Sequence, residues 1–127
     1  MVHFSTGIDL VEIGKIQDFL ERHKNYWDEI FSSRELKYCL KKKNSFQHLA
    51  VRFAAKEAML KALGIGLLSG FKLKDIEIVN DISGRPKINL FGKVKKLAEE
   101  NTVRDISLSL SHGSEYAVAH VLLISGE

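Results

Sequence analysis

Residues 104–112 read RDISLSLSH, and within them Ile106, Leu108 and Leu110 alternate without a break with Ser107, Ser109 and Ser111. Successive side chains point to opposite faces only in an extended chain, so the segment is a strand with one apolar and one hydroxyl-lined face. A tight turn, HGSE, leads to a final strand, YAVAHVLLI. An apolar sheet face demands a covering layer, and the chain upstream is rich in helical periodicity.

Residues 3–10 read as a strand running into GIDLVEIGKI. Beyond it Ile13, Ile16, Phe19 and Leu20 recur at helical spacing over 13–23, with Lys15, Arg22 and His23 at exposed positions. Ser32 with Glu35 is a capping-box pattern for a helix over 33–42, which the run KKKN closes. The next helix is the longest. Ser45 is its expected N-cap, Phe46, Leu49, Ala50, Phe53, Ala54, Leu60 and Leu63 form its apolar stripe, and Gly64 is its stop. Gly66 and Gly70 mark a flexible loop. Two strands follow, LKDIEIVN and KINLF, joined by a turn at Gly84–Pro86 that holds the only proline. A short helix is expected over 92–101. The class is α+β: one strand, a helical block with a long central helix, then a mainly antiparallel sheet with one helix inserted.

At 127 residues the chain suits a single domain, 1–127, large enough to bury a core. Its 45% hydrophobic content argues against disorder. One cysteine, Cys39, excludes an internal disulfide framework and a multi-cysteine zinc site, and suits a reducing, cytoplasmic setting. MVHFSTGIDL has no basic-then-apolar leader, and the longest apolar run is shorter than the ~20 residues of a helical span, so no membrane is expected. The balance of 19 Lys+Arg against 16 Asp+Glu fits an acidic or phosphate-bearing partner without selecting one. RNA reading is disfavoured, because Phe and Tyr are not interleaved with Lys and Arg on one strand face.

Asp9 follows an apolar strand, beside Gly7 and ahead of Val11. A carboxylate there is costly to bury unless it caps a helix or meets a cation. Glu57 and Lys61 lie one turn apart on the long helix, on the side of Phe46, Phe53 and Leu60. They are either an i,i+4 ion pair worth ~0.3–0.5 kcal/mol or half of a site. Together, Asp9, Glu57 and Lys61 would be two carboxylates and an ammonium, equipment for holding Mg²⁺ against phosphate oxygens. Metal-dependent nucleases share that pattern. Ser111 and His112 point to opposite faces and make a poor nucleophile pair. His112 opens a turn, where it binds an anion or merely finishes a strand. No zinc spacing surrounds His112 or His120. Cys39 reads as a plain thiol, and Gly64, Gly66 and Gly70 lack the GK[ST] of a phosphate loop.

In order and spacing, GIDLVEIGKI, RFAAKEAMLKALGIG, the GRP turn and SLSHGSEYAVAHV resemble holo-[acyl-carrier-protein] synthase, the short single-domain type of 4′-phosphopantetheinyl transferase. The resemblance covers nearly the whole chain. It implies Mg²⁺-dependent transfer of phosphopantetheine from coenzyme A to a serine of apo acyl carrier protein, in fatty acid biosynthesis, with adenosine 3′,5′-bisphosphate released. It further implies that Asp9 and Glu57 hold the metal and that Lys61 contacts the pyrophosphate. Arg52, His112 and the Gly84–Pro86 turn would bind the nucleotide end of coenzyme A. Lys15 and Arg22 on the first helix would dock the acidic carrier. Here the sequence departs from the family, which often has arginine at the position of Lys15 and another cation at that of Asn25. The family is commonly trimeric, with sites at subunit interfaces. The residues alone leave two rivals: a Mg²⁺-dependent nuclease or phosphohydrolase using Asp9, Glu57 and Lys61, and a small basic binding module without catalysis.

Overall fold

The alternating segment forms β4 (Val103–His112), one edge of a three-stranded antiparallel sheet in which β5 (Tyr116–Ser125) is central and β1 (His3–Glu12) is the other edge. Register is set across β5, where Val121 faces Gly7 on one side and Leu108 on the other. Ile106, Leu108 and Leu110 of β4 pack into the core, as their spacing predicts, while Ser107, Ser109 and Ser111 stay exposed. The computed structural model describes residues 1–66 and 70–127.

The cover is the long helix α4 (Ser45–Ala62), which follows α1 (Ile13–Arg22), α2 (Trp27–Ile30) and α3 (Ser33–Leu40). Ala54, Ala55, Ala58 and Met59 of α4 share one core cluster with Ala119, Val121 and Leu123 of β5. A separate hairpin of β2 (Ile76–Asn80) and β3 (Pro86–Leu90) adds Ile76 and Ile78 to that cluster, and α5 (Gly92–Glu100) adds Val94. Leu20, Ile30, Phe31, Cys39 and Leu49 form a second cluster that seats α1–α3 on the first half of α4. The apolar pattern predicts a one-sided helix, but α4 is enclosed around most of its circumference. Val51, Arg52, Ala55 and Lys56 are buried along with the stripe, because the sheet covers one side and α3 and β2 the other.

Gly7 sets how closely α4 lies on the sheet. A Cβ there would overlap the Ala58 carbonyl oxygen and stand 2.7 Å from the Ala62 nitrogen. Helix and strand backbones are therefore in direct contact, which only glycine permits.

The local signals mostly hold. Ser32 and Glu35 form a reciprocal capping box, Glu35 N–H donating to Ser32 Oγ at 3.2 Å and Ser32 N–H to Glu35 Oε1 at 2.9 Å. At the end of α4 Gly64 adopts φ 76°, with Gly64 N–H donating to Lys61 O at 3.0 Å and Ile65 N–H to Leu60 O at 2.9 Å. That is a Schellman stop, closed by Ile65 packing into the cluster that holds Leu60. The loop expected across Gly66–Gly70 lies partly outside the described residues.

The structure departs from the sequence reading at several points, and α3, read over 33–42, ends at Leu40. The first strand runs to Glu12 rather than residue 10. The N-cap of α4 is Asn44, and the Ser45 hydroxyl instead donates to Lys42 O at 2.8 Å. The expected strand over 73–80 begins only at Ile76, since Leu73–Asp75 is a 3₁₀ turn. Residues 24–30, unread as structure in the sequence, form a 3₁₀ turn and α2, with Trp27 Nε1 donating to Leu20 O at 2.7 Å.

Lys56 ties the layers together. Its side chain and that of Glu35 are both fully buried, with Nζ 2.7 Å from Oε1. The ammonium also donates to Leu73 O at 3.0 Å and to Ile76 O, while Glu35 Oε2 accepts from Ile78 N–H at 3.0 Å. Burial pushes the Lys56 pKa down, against the pull of Glu35. A buried ion pair survives only when its remaining bonding capacity is filled, as here.

Gly7→Ala should cost about 3 kcal/mol or more, because the new methyl meets backbone rather than a mobile side chain. Urea unfolding would check this through a lowered midpoint at unchanged slope.

Candidate active site

Asp9 lies inside β1, opposite Ala119, with its side chain turned inward and buried. It is not a helix cap, since Glu12 holds the N-cap position of α1. Lys61 Nζ donates to Asp9 Oδ1 at 2.8 Å and to Ile8 O at 3.0 Å. The ordinary surface pair between Glu57 and Lys61 is thereby replaced by a link from α4 to the strand. Glu57 is half-buried, and its carboxyl is held above the usual carboxylate range by burial first and by the charge of Asp9 second, against the opposing pull of Lys61. Asp9 Oδ2 is buried and has no hydrogen-bond partner.

An orphaned carboxylate oxygen beside a second, electrostatically strained carboxylate is a donor set short of a cation. Among the described residues no group of three or more His, Cys, Asp or Glu comes together, so no zinc cage or many-oxygen calcium site is built. Two carboxylates with the remaining positions left to water and phosphate oxygens suit Mg²⁺. Asp9 and Glu57 fit the ion implied by the sequence pattern.

A second cluster gathers on another face of α4. Arg52 is only 3% exposed, yet its Nε has no partner. Its Nη1 makes one long bond, 3.4 Å, to His48 O, and its guanidinium carbon stands 4.5 Å from the Tyr38 ring centre. The His48 ring lies 5.7 Å from that of His112. Burial lowers the His48 pKa, and the charges of Arg52, His112 and Lys42 lower it further. Positive charge is concentrated there, and binding an anion would relieve it.

The GRP turn is anchored nearby. Asn80, the last residue of β2, donates from Nδ2 to the Tyr38 hydroxyl at 3.0 Å. Asp81 Oδ1 then accepts from Ser83 N–H at 2.9 Å and Arg85 N–H at 3.0 Å, and Gly84 takes φ 88°. Pro86 opens β3. A small cavity lined by Arg34, Tyr38, Arg52, Ile78, Val79 and Asn80 lies between.

The structure thus brings Asp9, Glu57 and Lys61 together, and separately links Arg52 through Tyr38 to Asn80 at the base of the β2–β3 turn, and His112 to His48. It does not join the two groups on one face. Arg52 and Glu57 are five residues apart, about 140° around the helix.

On α1, Lys15 and Arg22 are seven residues apart and share one side. Both are exposed, and Lys15 makes only a 4.0 Å contact with Glu12, worth little. Phe19 stands between them, 44% exposed rather than in the core its spacing suggests. It borders an apolar hollow lined by Ile16, Tyr26, Ile30 and Phe53. Phe19, Tyr38 and His48 carry no motif of their own. Only the placement of Phe19 one turn from each cation signals an exposed role. Cys39 is buried, its thiol pushed up to about 11 chiefly by desolvation, and is inert as a nucleophile.

Known proteins of similar sequence and fold belong to one family. The model of the 4′-phosphopantetheinyl transferase superfamily matches residues 5–121. The holo-[acyl-carrier-protein] synthase of Geotalea daltonii is 47% identical over 121 residues, 94% of this chain and 97% of its own. That of Geobacter metallireducens is 45% identical, over 94% of this chain and 96% of its own. Among solved structures, the Chronobacterium ammoniagenes ACPS–CoA complex superposes with a TM-score of 0.86 at 30% identity, covering 98% of this chain and 99% of that one. The holo-ACP-synthase from Plasmodium yoelii superposes with a TM-score of 0.85 at 30% identity, covering 100% and 99%. With sequence and fold alike over nearly the full length of both partners, this chain belongs to the holo-[acyl-carrier-protein] synthase family of 4′-phosphopantetheinyl transferases.

Proposed function

We propose that this protein, as a single catalytic domain over residues 1–127, moves 4′-phosphopantetheine from coenzyme A to a serine hydroxyl of an apo acyl carrier protein. Adenosine 3′,5′-bisphosphate leaves, and the product serves fatty acid biosynthesis in the cytoplasm. Among the described residues no helix is long and apolar enough to cross a membrane. The observation that carries the reading is the buried, unpartnered Asp9 Oδ2 beside the strained Glu57 carboxylate and the Lys61 ammonium.

Asp9 and Glu57 are the residues that would hold Mg²⁺, which supplies positive charge to the pyrophosphate when bound. Lys61, already anchored at Asp9 Oδ1 and Ile8 O, keeps its exposed ammonium at the rim, where it can bind a phosphate oxygen and stabilise charge on the leaving group. Arg52, His112 and the Gly84–Pro86 turn bind the nucleotide end. Lys15 and Arg22 present the docking face for the acidic carrier, with Phe19 and the apolar hollow between and beside them.

The separation of the two clusters around α4 favours a shared site. One protomer would offer Asp9, Glu57 and Lys61, and a neighbour the nucleotide-binding face, in a homotrimer. Phe4, Ile8 and Leu10, each more than half exposed on the outer face of β1, form an apolar strip of the kind that subunits cover.

Mixing the protein with apo carrier, coenzyme A and Mg²⁺ and weighing the carrier tests the reaction directly. A gain of one phosphopantetheine supports it; cleavage of nucleic acid in place of transfer would favour the nuclease. Asp9→Ala and Glu57→Ala should each lower turnover by about 10²–10³-fold or more while leaving a folded chain. Near-normal turnover in either variant would refute the metal assignment.

Glu57→Gln separates chemistry from stability. A carboxyl whose pKa is raised on folding costs the fold nothing while it is protonated, and the cost is imposed as pH rises through its raised value. At neutral pH and without Mg²⁺, the Gln variant should therefore melt at a higher temperature than the parent while being inactive. The difference should vanish in acid, which melting curves across pH would check.

Lys15→Glu combined with Arg22→Glu should raise KM for the carrier by about tenfold or more and leave KM for coenzyme A nearly unchanged. Equal effects on both substrates would count against α1 as the dock.

A further inference from the structure

Arg52 poses a physical problem. Its guanidinium is almost wholly buried, has no carboxylate partner among the described residues, and makes a single long bond to a backbone oxygen. A buried charge without a counter-ion needs other support. Beyond that bond, support comes from the face of Tyr38, 4.5 Å from the guanidinium carbon.

Tyr38 is itself held on several sides. Lys42 Nζ lies 4.6 Å from its ring centre, and His48 meets the ring edge-on at 6.1 Å. Its hydroxyl accepts from Asn80 Nδ2 at 3.0 Å, at the point where β2 enters the Gly84–Pro86 turn. The ring therefore connects α3, α4 and that turn. A guanidinium stacked on an aromatic face keeps its edge free, and the Nε edge of Arg52 is the one with no partner.

We propose that Tyr38 is a positioning residue: its ring holds Arg52 with the Nε edge free for an anionic group at the nucleotide end of coenzyme A, and its hydroxyl ties that arrangement to the adjoining turn. The proposal rests on the reading of Arg52 as a nucleotide-end ligand. Tyr38 itself touches neither the reacting phosphorus nor the carrier serine.

The test compares Tyr38→Leu, Tyr38→Phe, Arg52→Ala and the Tyr38→Leu/Arg52→Ala double variant. Each is measured for coenzyme A binding by calorimetry and for KM and kcat with both substrates. Tyr38→Leu removes the aromatic face and should weaken coenzyme A binding and raise its KM by roughly tenfold, with kcat and carrier KM close to the parent. Tyr38→Phe keeps the face and loses only the Asn80 bond, so it should stay within about threefold of the parent. In the Arg52→Ala background Tyr38→Leu should have no further effect, because it acts through the arginine. Normal coenzyme A binding in Tyr38→Leu, with weakened binding in Arg52→Ala, would overturn the role of Tyr38 and leave that of Arg52 standing. Normal binding in Arg52→Ala would overturn both. A Tyr38→Leu effect of equal size with and without Arg52, or one that falls equally on both substrates, would assign Tyr38 a general structural role and end the proposal.

Discussion

The backbone contact between Gly7 and Ala58 is the constraint from which the candidate site follows. With no side chain at Gly7, α4 settles directly onto β1. Asp9 comes two residues later on the same inward face of the strand, while Glu57 and Lys61 immediately precede Ala58 and Ala62, the two residues in closest approach. A larger residue at position 7 would lift the helix and draw the two carboxylates apart. The close packing buries Glu57 and brings it toward the like charge of Asp9; burial first and that charge second raise its pKa, and Lys61 offsets part of the cost. The arrangement accepts that strain in the one place where a cation would relieve it.

Two lysines of α4, five residues apart, show how one helix serves architecture and chemistry together. Lys56 is fully buried, with Glu35 and two backbone carbonyls accepting from its ammonium, and it fastens α3 and β2 to the helix. It has no bonding capacity left for a ligand. Lys61 is half-exposed, anchored to β1 at Ile8 and Asp9 and open at the rim. Between them Glu57 lacks a paired cation of its own. The buried Lys56–Glu35 pair is saturated, whereas Asp9 Oδ2 and Arg52 Nε, also buried, are not, and these two belong to the clusters proposed to meet substrate. That division separates a group that stabilises the fold from one that waits for a ligand.

Much of the scaffold was legible because its signals are local. Strict alternation marked β4, a reciprocal Ser32–Glu35 pair marked the start of α3, and Gly64 marked the end of α4. Asp9, Glu57 and Lys61 were legible as a set only because a carboxylate beside Gly7 in an apolar strand demands compensation. Lys56 was not legible. Its partner Glu35 had a sufficient local role as a capping residue, and its burial comes from the 3₁₀ turn at Leu73–Asp75, where the periodicity of LKDIEIVN suggested only strand. Phe19 was misplaced for a related reason: helical spacing gives a face but not what lies against it. The cluster around Tyr38 depends on contacts among α3, α4 and β2, which no short stretch encodes.

The opposed faces of α4 carry the last step. On the proposed function, a substrate with a pyrophosphate at one end of its reactive span and an anionic nucleotide at the other would need both clusters, yet within one chain the helix stands between them. Bending the substrate around a helix about 10 Å thick would forfeit the contacts that make each cluster specific. In the proposed assembly, two copies stacked side by side would set the proposed metal-binding face of one against the proposed nucleotide-binding face of the next, a head-to-tail contact that can close into a ring. On that reading contact between subunits would complete the site, and the apolar outer face of β1, with Phe4, Ile8 and Leu10, is a surface such contact can cover. Assembly and activity would then depend on one interface, and a monomer could be fully folded yet lack half of the groups the reaction needs.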